Sequence, residues 1–566
     1  MSQERAVLRG EILAGSTSAS GTRAAQVPAG VHAPALPAAR TRRLALDGYR
    51  VGVWAITLAV GAFLLVRLDA WPPHEDETLA FFVGRQPLGD LFNTVLGERG
   101  GAPLHFLLTH LVALVSPGLT GLRLISVFFA VASLPVIAEL VARLTDRKTA
   151  LVATLLVATS WVMLFHGIYG RMYSLFLFTS TLSFLLVLQA LAYGGWRRWT
   201  LWGIVMLAAL ASMPYGAMVL AAQALYVLAR RVRRRFSLRA PFIAFTAVTL
   251  LAVPLWRTYL VLASRFDVSV GGGPSKLRSP WDVLIYLRSV IGDFSAGWDG
   301  AFALFIAFAA LGLLVLARSR PPAALLSGSV FAIPTLALLL ARLGNAAVPE
   351  TRHLIFALPF FGMLVATGLL RLSRVFGRFA PIALALGFAT LASTQLAWGW
   401  QNTPALFAGE APQRASGRHA AAAWLAATSR PDDVLFGYNP LFLEAWEKGG
   451  ELGDIIIPRA DPKLAVETLR QVGRPLGRGV WVFDATNSGV TRRYTIPEVA
   501  PLGDEFEARA FGPFLVVRTT LPEATPGAFL RDSVKVEWLG KQLGIADADL
   551  NYPTVVHALN RVEGRE

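Results

Sequence analysis

The feature that most constrains this chain is a succession of apolar runs, each roughly 15–24 residues long, that fills it up to about residue 400. Most are long enough to cross the hydrocarbon core of a bilayer as helices, whose backbone groups bond internally where no water can serve them. Of 566 residues, 54% are hydrophobic and only 16% charged, and mean hydropathy is +0.51. A soluble chain carries about a quarter charged residues. Here composition becomes that of a soluble domain only after residue 400. The expected fold is mainly α, a polytopic membrane helical bundle followed by a C-terminal α/β domain.

Charge placement sets the expected orientation. The formal net charge is +16, yet residues 401–566 hold 18 Lys and Arg against 21 Asp and Glu. The excess lies in short loops between apolar runs, which is the positive-inside pattern rather than a face for nucleic-acid phosphates. No nucleic-acid partner is expected; the lipid bilayer is. The basic clusters at Arg143/Arg147/Lys148, Arg197/Arg198, Arg230 through Arg239, Arg318/Arg320 and Arg371/Arg374/Arg378 must share one side. They do so with eleven spans, at 51–68, 119–143, 149–166, 172–193, 199–213, 215–230, 240–262, 301–317, 322–341, 353–371 and 379–398.

That assignment leaves residues 1–48 as a disordered cytoplasmic tail, 49–400 as the transmembrane domain, and 401–566 as an extracytoplasmic domain of a multi-pass plasma-membrane protein. Arg40, Arg42, Arg43 and Arg50 precede the first run, which ends without a convincing small-residue cleavage site and so reads as a retained helix rather than a signal peptide. Pro214-Tyr215-Gly216 supplies a tight turn between two of the spans. The first outer loop, 69–118, holds a stretch at 103–115 too short to cross, expected as a helix lying at the interface. Another outer loop, 263–300, carries Gly271-Gly272-Gly273-Pro274. Beyond residue 401 a helix is expected at 418–428 and strands at 433–438, 455–457, 479–484 and 514–519. No cysteine is present, which excludes disulfides and thiolate metal sites.

The most informative polar stretch is His74-Glu75-Asp76-Glu77, just beyond the first span. A carboxylate there can act as general base on an attacking hydroxyl. With His74 it could also hold a divalent cation, although adjacent residues seldom ligate one ion together. The plainer reading is a charged helix N-terminus, where Asp76 and Glu77 complement the macrodipole. Arg171, close to Tyr173 at the outer end of two spans, runs against the positive-inside bias and needs an anionic partner, either the acidic loop or a ligand phosphate. Arg352-His353 places a second outer cation at a helix start, with Glu350 as its nearest counter-ion. Arg257, Arg265, Lys276 and Arg278 are weaker phosphate candidates. His105 and His110 read first as polar anchors, and Trp71, Trp298, Trp398 and Trp400 as interface-belt residues.

At these residues the chain resembles the bacterial GT-C glycosyltransferases related to protein O-mannosyltransferases and to the aminoarabinose transferases that modify lipid A. The resemblance runs over about residues 50–400 and rests on five motifs in order. They are Asp76-Glu77, Gly101-Ala102-Pro103-Leu104-His105-Phe106, Arg123 at the start of a span, Gly170-Arg171-Met172-Tyr173-Ser174-Leu175, and Arg352-His353-Leu354-Ile355-Phe356-Ala357-Leu358-Pro359. The family's His before Pro-Pro is Gly101 here, and the Tyr after the late Arg is His353.

The resemblance implies sugar transfer with inversion from a polyprenyl-phosphate-linked donor to a glycan, lipid or protein acceptor. It makes Asp76 the general base and Glu77 the neighbour that orients acceptor or metal. Arg171 and Arg352 would neutralise the leaving phosphate, with Tyr173, His353 and His105 among the substrate contacts. It fixes no cofactor, with a divalent cation as the one candidate, and fixes neither sugar nor acceptor. A transporter or flippase of polyprenyl-linked glycans is the alternative. It would place ionisable residues at mid-membrane and often shows internal repeats, whereas these spans are nearly free of charge and no repeat is visible. A non-catalytic scaffold is a third reading.

Overall fold

A computed structural model describes residues 47–98, 101–116, 118–233, 237–265, 276–344, 346, 348–450, 456–457, 462–471, 476–486, 502–523 and 525–565. The expected tail and the Gly271–Gly273 turn lie outside these residues. From Gly48 to Glu566 the chain forms one compact unit.

All eleven expected apolar runs are helical. Among the described residues, six helical stretches are long and apolar enough to cross a membrane, or up to eight when two bent pairs each count as one span. The protein is therefore a membrane protein built on a helical bundle. Two expected spans are broken rather than straight. The first bends by 59° at Ser160, whose hydroxyl accepts the Met163 N–H and restarts the chain as the helix Trp161–Ile168. The second bends by 52° at Ala252. There Pro254 lacks the N–H that would continue the ladder, and its ring crowds the preceding turn. Trp196–Ser212 and Gly216–Arg233 are separate helices, as the Pro214 turn implies. Gly377, at φ +53°, breaks the stretch Thr351–Asn402, so that Gly387 comes back beside Leu369.

Glycine also sets the closest helix crossing. A Cβ on Gly312 would stand 1.9 Å from the Leu364 carbonyl oxygen, and one on Gly368 2.0 Å from that of Phe308. The helices Asp299–Ser319 and Leu358–Ser373 thus touch through backbone, the small-residue packing that serves where lipid gives no hydrophobic drive.

The expected outer loop is largely helical: Glu75–Gly84, Leu88–Phe92 and Pro103–Ala113. These helices share an apolar core of Leu79, Phe81, Leu91, Phe106 and Leu122. Leu443 of the C-terminal region joins it, and Trp446 sits 5.4 Å from the Phe81 ring.

The C-terminal region is an α/β layer. Its strands are β1 (Val434–Phe436), β2 (Ile456–Ile457), β3 (Gly479–Asp484), β4 (Phe506–Phe511) and β5 (Phe514–Thr519), in the order β2-β1-β3-β5-β4. β1 pairs in parallel with β2 and β3; β5 runs antiparallel to both β3 and β4. Strand alternation splits the core. Val480 and Val482 face the helices Pro412–Thr428 and Pro440–Glu447, through Leu425, Leu441 and Phe442. Trp481 and Phe483 face Pro462–Gln471, Pro526–Gln542 and Ala546–Val562, through Leu469, Phe529 and Val555. The sequence expectations for β3 and β5, both continuous buried runs, match their observed bounds. They missed β4, an edge strand with the sequence Phe-Glu-Ala-Arg-Ala-Phe that buries none of its residues fully.

Candidate active site

The acidic stretch builds the site from a helix start. His74 caps Glu75–Gly84, its Nδ1 accepting the Asp76 N–H at 3.2 Å, while Glu77 Oε2 accepts the His74 N–H at 3.1 Å. The plain reading of these acids as an N-terminal turn therefore holds, and the same turn sends Asp76 and Glu77 to different environments.

Glu77 is fully buried. It takes a two-pronged ion pair from Arg123, with Nε at 2.9 Å and Nη2 at 2.8 Å, and accepts the Gly170 N–H at 2.8 Å. Arg123 spends its remaining donors on the Leu68 and Trp71 carbonyls at 2.8 and 2.9 Å. Gly170 has no room for a side chain, since a Cβ would lie 2.8 Å from Leu122 and 3.1 Å from Glu77 Oε1. The pair therefore locks the start of the outer loop, the helix Leu119–Leu144 and the 169–172 turn together. Both Glu77 oxygens are engaged within the protein.

Asp76 is 31% exposed. Its Oδ2 lies 3.6 Å from Arg352 Nη2 and 3.9 Å from Arg171 Nε, and accepts the Tyr169 hydroxyl at 2.9 Å. Arg171 also donates to the Asp76 carbonyl at 3.2 Å. Burial pushes the Asp76 pKa up, but Arg171, His74, Arg352 and the Tyr169 hydroxyl together hold it well below the usual carboxylate range. Arg352 lies over the rings of Tyr173 and Tyr169, at 5.0 and 5.6 Å from their centroids, and pairs with Glu350 as well. The structure thus brings Asp76, Arg171, Tyr173 and Arg352 into one cluster, and His353 joins it by stacking on Tyr215 at 4.8 Å and on Tyr173 at 6.2 Å.

Polar atoms remain without partners here. Arg171 Nε, His353 Nδ1 and both ring nitrogens of His105 and of His166 are buried and make no hydrogen bond. Such groups are costly unless water or a ligand meets them. Burial, then the charge of Arg171, pushes the His105 pKa down to about 3, so the ring is neutral. His110 is accounted for structurally, its Nδ1 lying 2.9 Å from the Gly84 carbonyl oxygen. Among the described residues no group of three or more His, Asp or Glu side chains is arranged to hold a metal ion.

Two cavities flank the cluster, one through Arg352 and the other through His74, whose Nδ1 lies 3.0 Å from the Tyr169 hydroxyl; Asp76 and Arg171 line neither. One, of about 600 Å³, is lined by His166, Lys276, Tyr286, Glu350 and Arg352. The other, of about 400 Å³, is lined by Trp71, His74 and Glu75 on one side and by the α/β region on the other. Sequence reasoning missed His166, Tyr169 and Tyr215. The first two stand in the same outer turn as Arg171 and could have been read from it; Tyr215 lay hidden as a turn residue.

The family described as dolichyl-phosphate-mannose-protein mannosyltransferase matches residues 101–257. No curated protein matches the chain. Among solved structures, ArnT from Cupriavidus metallidurans in the apo state aligns with a TM-score of 0.54 at 14% identity, covering 83% of this chain and 98% of that one. The same protein bound to undecaprenyl phosphate gives 0.49 at 15% identity, covering 84% and 98%. The Archaeoglobus fulgidus oligosaccharyltransferase with Zn and sulfate gives 0.47 at 12%, covering 76% and 68%. The chain is a membrane protein with the GT-C glycosyltransferase fold. The motif resemblance of residues 50–400 is supported by the family match and by the ArnT fold.

Proposed function

We propose that the protein transfers a sugar from a polyprenyl-phosphate donor to an extracytoplasmic hydroxyl with inversion at the anomeric carbon. The observation that carries this reading is one partly exposed carboxylate, Asp76, held between Arg171 and Arg352, with one cavity lined by Arg352 and another by His74 beside it. The polyprenyl carrier follows from the motif resemblance and from the dolichyl-phosphate family that matches residues 101–257. The external side is supported by Arg143, Arg147 and Lys148, which sit at the end of Leu119–Leu144 opposite the site, where the positive-inside bias puts the cytoplasm.

In this reading the acceptor hydroxyl gives its proton to Asp76 while its oxygen bonds the anomeric carbon. The bond from that carbon to the phosphate oxygen breaks, and the phosphate leaves with the electron pair. Arg171 and Arg352 stabilise the charge that develops, as fixed cations at a boundary poor in water. The two arginines also explain how a carboxylate with a depressed pKa becomes a base. A donor phosphate competes for them, so Asp76 loses its counter-ions as the substrate arrives and its proton affinity rises. Glu77 is a positioning residue in this scheme, acting through Arg123 and the Gly170 turn.

Purified Asp76→Asn protein tests the proposal directly. Transfer from a polyprenyl-phosphate-sugar donor should fall by about 10²–10⁴, the range for loss of a general base. An undiminished rate would overturn the assignment.

A further inference from the structure

The α/β region contributes a cavity that the transfer scheme leaves without an occupant, and the sheet topology marks it as a binding crevice. The connection from β1 to β2 runs through Pro440–Glu447 on one face, and that from β2 to β3 through Pro462–Gln471 on the other. β1 and β3 are parallel neighbours at which the order reverses: the chain leaves β1 for β2 over one face and returns from β2 to β3 over the other, so the gap beyond their carboxyl ends is a topological switch point. In open α/β sheets ligands settle in that crevice. Asn439 follows β1, while Asp484 ends β3 and Thr486 follows it, and all three line the 400 Å³ cavity that Trp71, His74 and Glu75 close from the other side.

The lining names a chemical class. Asn439 is 4% exposed; its side-chain oxygen caps the helix Pro440–Glu447 by accepting the Leu441 N–H at 3.0 Å. Its amide NH₂ has no partner among the described residues and is left for whatever enters. The arginines are already paired within the wall. Arg414 pairs with Asp484 at 2.6 Å and with Glu410, and Arg418 pairs with Glu410 at 3.0 Å and with Glu444. These acids outnumber the two arginines, and Glu75 and Asp547 line the cavity as well, so the wall repels an anion and offers its hydrogen bonds to an uncharged polyhydroxyl ligand. Trp71 and Phe514 supply apolar ring surface beside those groups. An extended peptide is a poorer fit. Peptides commonly bind α/β layers by pairing with an edge strand, and neither edge strand, β2 or β4, lines the cavity.

We propose that this crevice is the acceptor subsite and that its occupant is a neutral glycan. The inference rests on the transferase reading and deepens it. A sugar seated there lies against His74, whose Nδ1 is 3.0 Å from the Tyr169 hydroxyl that bonds Asp76. The acceptor would reach Asp76 past His74, while Lys276 and Arg352 line the other cavity, so the two substrates enter by separate routes.

The test is saturation-transfer NMR on the full chain in lipid nanodiscs without donor, so that its outcome is independent of whether transfer occurs. The probes are mannobiose, galactobiose, arabinobiose and a nine-residue Ser/Thr-Pro-Ala peptide. At least one disaccharide should receive saturation, and Ala405→Trp, which fills the crevice, should abolish the signal. Asn439→Ser keeps a capping oxygen and so the fold, and should weaken binding about tenfold through loss of the amide donors. No signal from any disaccharide, a signal that survives both substitutions, or crevice-dependent binding of the peptide instead would each overturn the proposal. Failure of the transferase reading would show separately, as transfer that persists in Asp76→Asn.

Discussion

Asp76 and Glu77 are adjacent acids, and the structure gives them opposite consequences on neutralisation. Glu77→Gln replaces an oxygen that accepts from Arg123 or Gly170 by an NH₂ that can only donate, and the four short contacts at 2.8–3.1 Å cannot all survive. Arg123 is 1% exposed, so its charge would be left buried and uncompensated. Breaking one side of a buried pair costs about 3–5 kcal/mol. Asp76→Asn leaves Arg352 its Glu350 partner and solvent access through the cavity, and leaves Arg171, whose ion pair with Asp76 is a loose 3.9 Å, its bond to the residue 76 backbone carbonyl, so the cost should be about 1 kcal/mol. Thermal unfolding followed by fluorescence-detected size exclusion should therefore show a large loss for Glu77→Gln and little for Asp76→Asn. Transfer assays at low temperature should rank the two in reverse. The double variant Glu77→Gln with Arg123→Met should recover much of the lost stability, because no orphan charge remains. A Glu77→Gln protein as stable as the wild type, or an Asp76→Asn protein equally destabilised, would refute the division of roles.

Replacing Arg352 by Ala should lower kcat by about 10²–10³, the typical loss of one preorganised charge-stabilising donor, measured with saturating donor and checked against thermal stability. Because Asp76 is held ionised well below the usual carboxylate range, kcat/KM should show no acid limb between pH 8 and 5, and would decline only as pH falls through the depressed pKa. Asp293, bonded by Thr351, has its pKa raised to about 6, chiefly by burial. Its ionised form is the disfavoured one, so its cost to stability appears as pH rises through that value. Asp293→Asn should accordingly raise the melting temperature at pH 8, and by steadily less as pH falls from about 6 toward the ordinary carboxylate range near 4. Gly368→Ala sets a Cβ 2.0 Å from the Phe308 carbonyl oxygen, so yield of folded protein in membranes should collapse; normal yield would contradict the backbone contact.

The helical runs were legible because lipid forbids most alternatives, so hydropathy and loop charge alone located them. Two bends were not, because Ser160 and Pro254 lie inside apolar stretches that read as continuous. The cations of the site were legible as violations: Arg171 and Arg352 stand where the charge bias disfavours them, and the structure gives both the same anion. What separates Asp76 from Glu77 could not be read, because it depends on Arg123 and Gly170, 46 and 93 residues away. In the C-terminal region, β3 and β5 were legible as short apolar runs, while the switch-point crevice emerges only from which face each connecting helix takes.

The central claim is that one phosphate binds both arginines beside Asp76. A cryo-electron microscopy structure of the full chain in nanodiscs with polyprenyl phosphate examines it most directly. Phosphate density should bridge Arg171 and Arg352, with the Asp76 carboxylate freed from at least one of them. Phosphate density elsewhere, with both arginines still paired to Asp76, would contradict it.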